Sequence, residues 1–188
     1  MPVYYTNDRG VTWSTAEGIP ENLRVIADRV NPKRFYALDL SAAVLYESMD
    51  GGVSFQSRRL PFAPFDSKAR NARGDRRGGQ DRVYATPGKE GDLWIAAFDV
   101  PLDKVRRIYA FGFGKAAPGS DYPSLYLAGI VNGISGFFRS DDAARGWVRI
   151  NDDDHQYGLV LHISGDPKRY GTVYVGWQGR GIVDADPY

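Results

Sequence analysis

The sequence predicts an all-β chain, and three observations predict it. Tyr, Phe and Trp number 12, 9 and 4, or 13% of residues, among 22 Gly and 11 Pro. Aromatic side chains suit a pleated, half-buried surface, while Gly and Pro interrupt helices. Helical periodicity is almost absent: the best candidate, Leu102–Ala110, runs straight into Gly112-Phe113-Gly114. Short apolar runs bounded by turn residues recur instead along the whole chain.

In order, these runs are Pro2–Tyr5, Arg24–Ala27, Arg34–Leu38, Val44–Glu47, Arg82–Ala85, Asp92–Ala97, Ile108–Phe113, Ser124–Ile130, Gly136–Arg139, Trp147–Ile150, Leu159–Ile163 and Thr172–Gly176. Each carries β-branched, aromatic or leucine residues. Pro, Gly, Asn and Asp punctuate them at the spacing of an all-β chain, as at Asn31-Pro32, Pro87-Gly88, Val131-Asn132-Gly133 and Gly165-Asp166-Pro167.

A chain of 188 residues makes one ordinary domain or two small ones and buries about 70% of its unfolded surface. With 43% hydrophobic and 25% charged residues it reads as globular. The absence of Cys excludes disulfide scaffolds, cysteine nucleophiles and thiolate metal sites, and His155 and His162 cannot build a three-His centre. No metal site and no cofactor are expected. A net charge of +1 gives no broad electrostatic footprint for nucleic acid. Apolar runs such as Leu159-Val160-Leu161 are too short for a membrane span. No charged-then-apolar leader opens the sequence, so any signal peptide is expected to be removed or never present.

An internal repeat sets the architecture. Thr6-x-Asp8-x-Gly10-x-Thr12-Trp13 and Ser48-x-Asp50-x-Gly52-x-Ser54-Phe55 match position for position. A weaker copy keeps Ser140, Asp142 and Trp147 but has Ala144 where Gly is expected. The three Asp are 42 and 92 residues apart, and a series of Pro-then-aromatic strands from Tyr36 to Tyr174 gives a mean step of 46. A period in the forties with several strands per unit marks a β-propeller blade. The chain is therefore expected to form a partial propeller of about four blades, against about 320 residues for a seven-bladed ring. The expected blades are roughly 1–47, 48–97, 98–139 and 140–188. Each Asp should accept backbone N–H groups in its own turn, the Gly should take φ > 0, and the terminal Trp or Phe should fold under the hairpin as a plug.

This motif is similar to the Asp-box of sialidases, sortilin-like receptors and several glycoside hydrolases. The arginine set and Tyr nucleophile of sialidases are not recognisable here. A narrower resemblance rests on Gly112–Gly119, Tyr122–Tyr126, Val131-Asn132-Gly133, Phe138–Asp142, Trp147–Asp153, His155–Gly158, Gly165-Asp166-Pro167 and Gly179–Ile182. In the first half it rests on Val3-Tyr4-Tyr5, Asp28–Pro32 with Phe35-Tyr36-Ala37, and Pro87-Gly88 with Gly91–Trp94. These resemble the C-terminal end of glycoside hydrolase family 74, the xyloglucanases and related endo-β-1,4-glucanases. The resemblance implies two facing seven-bladed propellers with a glucan cleft between them, and a last segment, 165–188 here, that closes the partner propeller. It also implies inverting hydrolysis by two Asp residues, one from each propeller. Both belong to family segments upstream of Met1, so no catalytic residue is assigned here. The shortened Phe98–Arg107 region, Ala143-Ala144 and Trp177-Gln178 depart from the family pattern.

Other constellations carry plainer alternatives. His155, Gln156 and Tyr157 are candidate sugar contacts, with Tyr157 alternatively packing between blades. Trp177 either stacks on a sugar ring or fills a core. Asp152-Asp153-Asp154-His155 offers metal or acid–base chemistry against a solvated loop. The cationic stretch Ser67–Arg82 lacks interleaved aromatics and reads as a loop between strands rather than a nucleic-acid patch. Together the expectation is a segment supplying one wall of a glucan cleft for a xyloglucan or β-glucan oligosaccharide. Its partners are a missing N-terminal propeller segment or a second copy, with an extracellular or periplasmic location implied by the resemblance alone. The rival is a non-catalytic propeller module that binds protein or glycan.

Overall fold

The computed structural model describes residues 1–61, 82–96, 105–156, 158, 160–179 and 181–186. All regular structure among them is β, arranged as antiparallel sheets of strands consecutive in sequence. The chain divides into two compact units: residues 1–61 with 82–95, and the described residues from 105 onward.

In the first unit, β1 (Tyr4–Tyr5) pairs with β2 (Ser14–Thr15). A four-stranded meander follows: β3 (Val25–Ala27), β4 (Phe35–Asp39), β5 (Val44–Ser48) and β6 (Gln56–Arg59). β7 (Arg82–Ala85) and β8 (Leu93–Ala96) form a further hairpin. Tyr36, Ala37 and Leu45 from the two central strands are buried with Phe55, Val83 and Ala85. The chain leaving β2 joins the Asp50 turn: Glu17 N–H donates to Val53 O, and Phe55 N–H donates to Glu17 O, each at 2.9 Å. Gly18 follows at φ +72°, and a Cβ there would lie 2.2 Å from Phe55 O, so this junction requires glycine.

The second unit has a meander of β9 (Val105–Gly114), β10 (Ser124–Val131), β11 (Ile134–Ser140) and β12 (Val148–Arg149). Beside it runs a three-stranded sheet of β13 (Val160–Gly165), β14 (Val173–Trp177) and β15 (Gly181–Ala185). β10 is buried along nearly its whole length. Its continuous Leu-Tyr-Leu-Ala-Gly-Ile-Val pattern follows from cover on both faces. Ala110, Tyr126 and Ala128 share a core with Val160, Ile163, Val173, Val175 and Trp177.

Two glycines explain how closely β9 and β13 approach. A Cβ on Gly112 would lie 2.2 Å from Ile163 O, and one on Gly114 2.8 Å from Gly165 Cα. The Tyr126 ring covers this seam, 2.3 Å from where a Cβ of Gly165 would stand. The Gly112-Phe113-Gly114 sequence is thus a strand with its side chains removed where another backbone passes.

The Leu102–Ala110 helix candidate is extended from Val105 onward, because β9 pairs with β10 through Ile108 and Ala110. Strands β2, β6 and β15 fall outside every expected run. The two meanders span residues 25–59 and 105–149. The cationic stretch 67–81 and most of the shortened 98–107 region lie outside the described residues.

The glycine seam gives the first test. Gly112→Ala should lower the unfolding free energy by about 1–3 kcal/mol through overpacking. Gly176→Ala, where the new Cβ would meet only His162 Cβ at 3.5 Å, should be near neutral. Paired urea unfolding curves read both; equal losses would contradict the seam.

Candidate functional site

The three Asp turns join consecutive paired strands, β1 to β2, β5 to β6 and β11 to β12, and the last two lead into the outermost strand of a four-stranded sheet. In the first, Asp8 Oδ1 accepts from the Thr6 hydroxyl at 2.8 Å and Thr12 N–H at 2.9 Å, while Oδ2 accepts the Thr12 hydroxyl at 2.6 Å. Gly10 N–H donates to Thr6 Oγ1 at 2.9 Å. The second repeats this with Ser48, Asp50, Gly52 and Ser54. In the third, Asp142 accepts from Ser140 and from Gly146 N–H, both at 2.8 Å. Gly146 replaces the second hydroxyl, so that bond is missing. Ala144 keeps the backbone of the glycines it replaces, at φ +68° against +91° for Gly10 and +90° for Gly52.

These bonds stabilise the charged carboxylates. The Thr12 hydroxyl, then its amide, hold Asp8 down to about 2. Ser54 lowers Asp50 further, and Gly146 N–H with Ser140 lowers Asp142. The expected aromatic plug holds for Phe55, which is buried. It fails for Trp13, which is 61% exposed. Its indole N–H closes on Gly10 O at 3.1 Å, with the neighbouring Cζ2 at 3.7 Å from where a Cβ of Gly10 would stand. Trp147 is half-buried.

Another turn device was missed in the sequence. Asp28 Oδ1 accepts from Val30 and Asn31 N–H, and Oδ2 from the Tyr36 hydroxyl and Gly91 N–H, all within 2.9 Å. Burial would raise its pKa, but these four donors outweigh that and hold it at about 2. Asp166 repeats the pattern with Lys168, Arg169 and Tyr174. The shared spacing, Asp28 to Tyr36 and Asp166 to Tyr174, was the available signal.

A cleft of about 370 Å³ opens in the second unit. Tyr109 (β9), Ala128 and Gly129 (β10), and Ser135, Gly136 and Phe137 (β11) line it together with Gln156, Gly158 and Val160. Of the expected sugar contacts, Gln156 lines it directly. His155 is exposed on the same loop, its Nδ1 against Asp152 Oδ1. That contact and the His155 N–H lower the pKa of Asp152. Tyr157 lies outside the described residues. Trp177 is 6% exposed and belongs to the core, its ring 6.0 Å from that of Phe137. It packs near Phe137 and is not among the residues that line the cleft. Tyr109, Ser135 and Phe137 were missed, because on strands their residue types alone do not say which face opens.

Asp152–Asp154 form an exposed, internally bonded loop. Arg149 Nη2 donates to Asp152 O at 3.1 Å and Asp153 Oδ1 at 2.6 Å. Among the described residues no group of three or more His, Cys, Asp or Glu could hold a metal ion, and no helix is long and apolar enough to cross a membrane.

Comparison with known proteins places this geometry in context. No family model matches the chain. It is 41% identical over 203 residues to a xyloglucanase of a Paenibacillus species, covering 98% of this chain and 18% of that protein. It is 40% identical over 196 residues to the xyloglucanase of Acetivibrio thermocellus, covering 97% and 22%. The chain thus spans about a fifth of the length of these relatives. Among solved structures, the family 74 glycoside hydrolase of Niastella koreensis aligns with a TM-score of 0.76 at 32% identity, covering 96% of this chain and 27% of that one. The family 74 xyloglucanase of Xanthomonas campestris aligns with a TM-score of 0.77 at 34% identity, covering 98% and 27%.

The turns yield two further expectations. Ala144→Gly should raise stability by about 1 kcal/mol by relieving a side chain in the left-handed region; a loss of stability in thermal melts would contradict this. Asp8 and Asp28 have pKa values lowered from 3.8 to about 2. The stability they contribute is therefore complete above the ordinary carboxylate range and lost as pH falls through about 2. Denaturation across that window should show a falling acid limb that is shallower in Asp28→Asn.

Proposed function

The chain belongs by sequence and fold to glycoside hydrolase family 74, of which it spans a part, and from that premise we propose that it supplies one wall of a glucan cleft. It corresponds in this reading to a C-terminal segment of a xyloglucan or β-1,4-glucan hydrolase. The cleft beside β11 carries the proposal. Tyr109 and Phe137 give it aromatic surface, on which a sugar ring stacks by its apolar face. Ser135 and Gln156 supply the few polar groups that orient a ligand in such a site.

None of the described lining residues is an Asp or Glu. Inverting hydrolysis needs a protonated acid at the leaving oxygen and a second carboxylate holding water on the opposite face. The carboxylates of Asp8, Asp50 and Asp142 are committed to their own turns. In this proposal the acid and base come from other parts of the enzyme, and this segment binds and orients glucan. The meanders with their Asp-box turns act as propeller blades, completed by the rest of the enzyme, and the substrate places the whole outside the cell or in the periplasm.

Calorimetric titration of the chain with xyloglucan oligosaccharides tests this. Gln156→Ala and Ser135→Ala, both at exposed positions, should each weaken binding about 3–10-fold, the value of one hydrogen bond. Their melting temperatures should not change. Unaltered affinity in both variants would reject this cleft as the binding wall. Binding of a protein partner without any glucan affinity would favour the non-catalytic module.

A further inference from the structure

In the loop between β12 and β13, the Asn151 side chain reaches β11 beside the backbone bond from Ile150 N–H to Phe137 O at 2.8 Å. Asn151 Oδ1 accepts Phe137 N–H at 2.7 Å, in the strand that carries Ser135 and Phe137 into the cleft. Its Nδ2 donates to Asp152 O and His155 O, both at 3.0 Å, in the loop that carries Gln156. The bond pattern uses both ends of an amide and suits neither a carboxylate nor an apolar group. Gly136 makes room for it: a Cβ there would lie 2.7 Å from Asn151 Oδ1. Around this centre, Arg149 holds Asp152 O and the Asp153 carboxylate, and Asp152 caps His155 N–H at 2.8 Å.

We propose that Asn151 is the positioning residue of the cleft, an amide clasp that fixes the Gln156 loop against the Phe137 strand before ligand arrives. The proposal rests on the cleft being a glucan site, but the clasp has its own readout. It gives a role to the run Arg149-Ile150-Asn151-Asp152-Asp153, whose acidic residues hold neither metal nor substrate in this account. They shape a loop whose contribution to binding is preorganisation, which lowers the ordering cost that a mobile wall adds.

The discriminating variants are Asn151→Ala and Asn151→Asp in the full chain, each read by backbone amide protection and by oligosaccharide titration. Asn151→Ala should lose protection at Phe137, whose N–H loses its acceptor, and at His155, whose N–H is held by Asp152 Oδ1 in the loop that the clasp orders. It should bind about tenfold more weakly. Asn151→Asp keeps an acceptor for Phe137 N–H but sets a carboxylate against two carbonyl oxygens. Phe137 should then stay protected, while the loop, repelled at its Asp152 and His155 carbonyls, loosens and the His155 N–H bond to Asp152 loses protection at neutral pH. Protonation of the new carboxyl near about pH 4 supplies a donor again, so affinity should recover there relative to wild type. Among the described residues, the ionisable groups around this position are Arg149, Asp152, Asp153, Asp154 and His155, with Tyr109 lining the same cleft. All are present in the wild type, so the difference between the two profiles isolates the substitution.

Wild-type protection in both variants would overturn the clasp, whether or not glucan binds. Altered protection with unchanged oligosaccharide affinity would overturn its positioning role. Wild-type chain that binds no oligosaccharide, with the predicted protection pattern intact, would reject the glucan reading and retain the clasp as loop architecture only.

Discussion

The cleft depends on a contact in which no side chain takes part from one direction. Gly112 and Gly114 present bare backbone to Ile163 and Gly165, so β9 and β13 approach nearer than any residue with a Cβ allows. Tyr126 then spans the seam from β10, buried to 1% exposure. Val160, Ile163, Val175 and Trp177 follow into one core with Ala110 and Ala128. Because β13 is seated there, the segment preceding it passes beside β11, and Gln156 comes to line the same cleft as Phe137. Packing in an interior is too dense to absorb an added methyl group by local adjustment. The seam therefore sets the separation of the cleft walls as well as the stability of the unit.

The Asp turns solve a different problem. The outer strands β2, β6 and β12 have little apolar surface to hold them; β6 is exposed at all four residues. Each of these strands is positioned by the turn that precedes it. A carboxylate that accepts two or more donors within one turn fixes the chain reversal without burial, and the outer strand pairs because its first residue is already placed. Asp28 and Asp166 do the same at other strand connections, using a Tyr hydroxyl from the next strand as well as backbone donors. The chain thus spends its acidic residues largely on local geometry.

This division explains what could be read from the sequence. Central strands such as β4, β5, β10 and β14 carry apolar patterns imposed by two neighbours and a core, and those patterns are visible. Gln56–Arg59 and Gly181–Ala185 have no such pattern, since their pairing comes from a turn or from β14 rather than from burial. The Asp8 and Asp50 turns were legible because their chemistry is confined to eight consecutive residues. Ala144 was legible as a departure, though its backbone retains the glycine conformation. The candidate site was legible only at Gln156 and in the surrounding loop. Trp177 shows why: an indole suits a sugar face and a core equally, and only the side of β14 that packs on the β9–β12 meander decides. Tyr109, Phe137 and the clasp at Asn151 depend on contacts between residues distant in sequence, which no local pattern encodes.

The central claim is that the cleft walled by β11 and the Gln156 loop receives a glucan chain. Backbone chemical-shift mapping of the whole chain during titration with a xyloglucan oligosaccharide tests it most directly. The account predicts saturating shifts concentrated at Tyr109, Gly129, Ser135–Phe137, Gln156 and Gly158, with the Asp8 and Asp50 turns unmoved. Saturating shifts confined to those turns or to the β3–β6 meander, with the cleft silent, would contradict it.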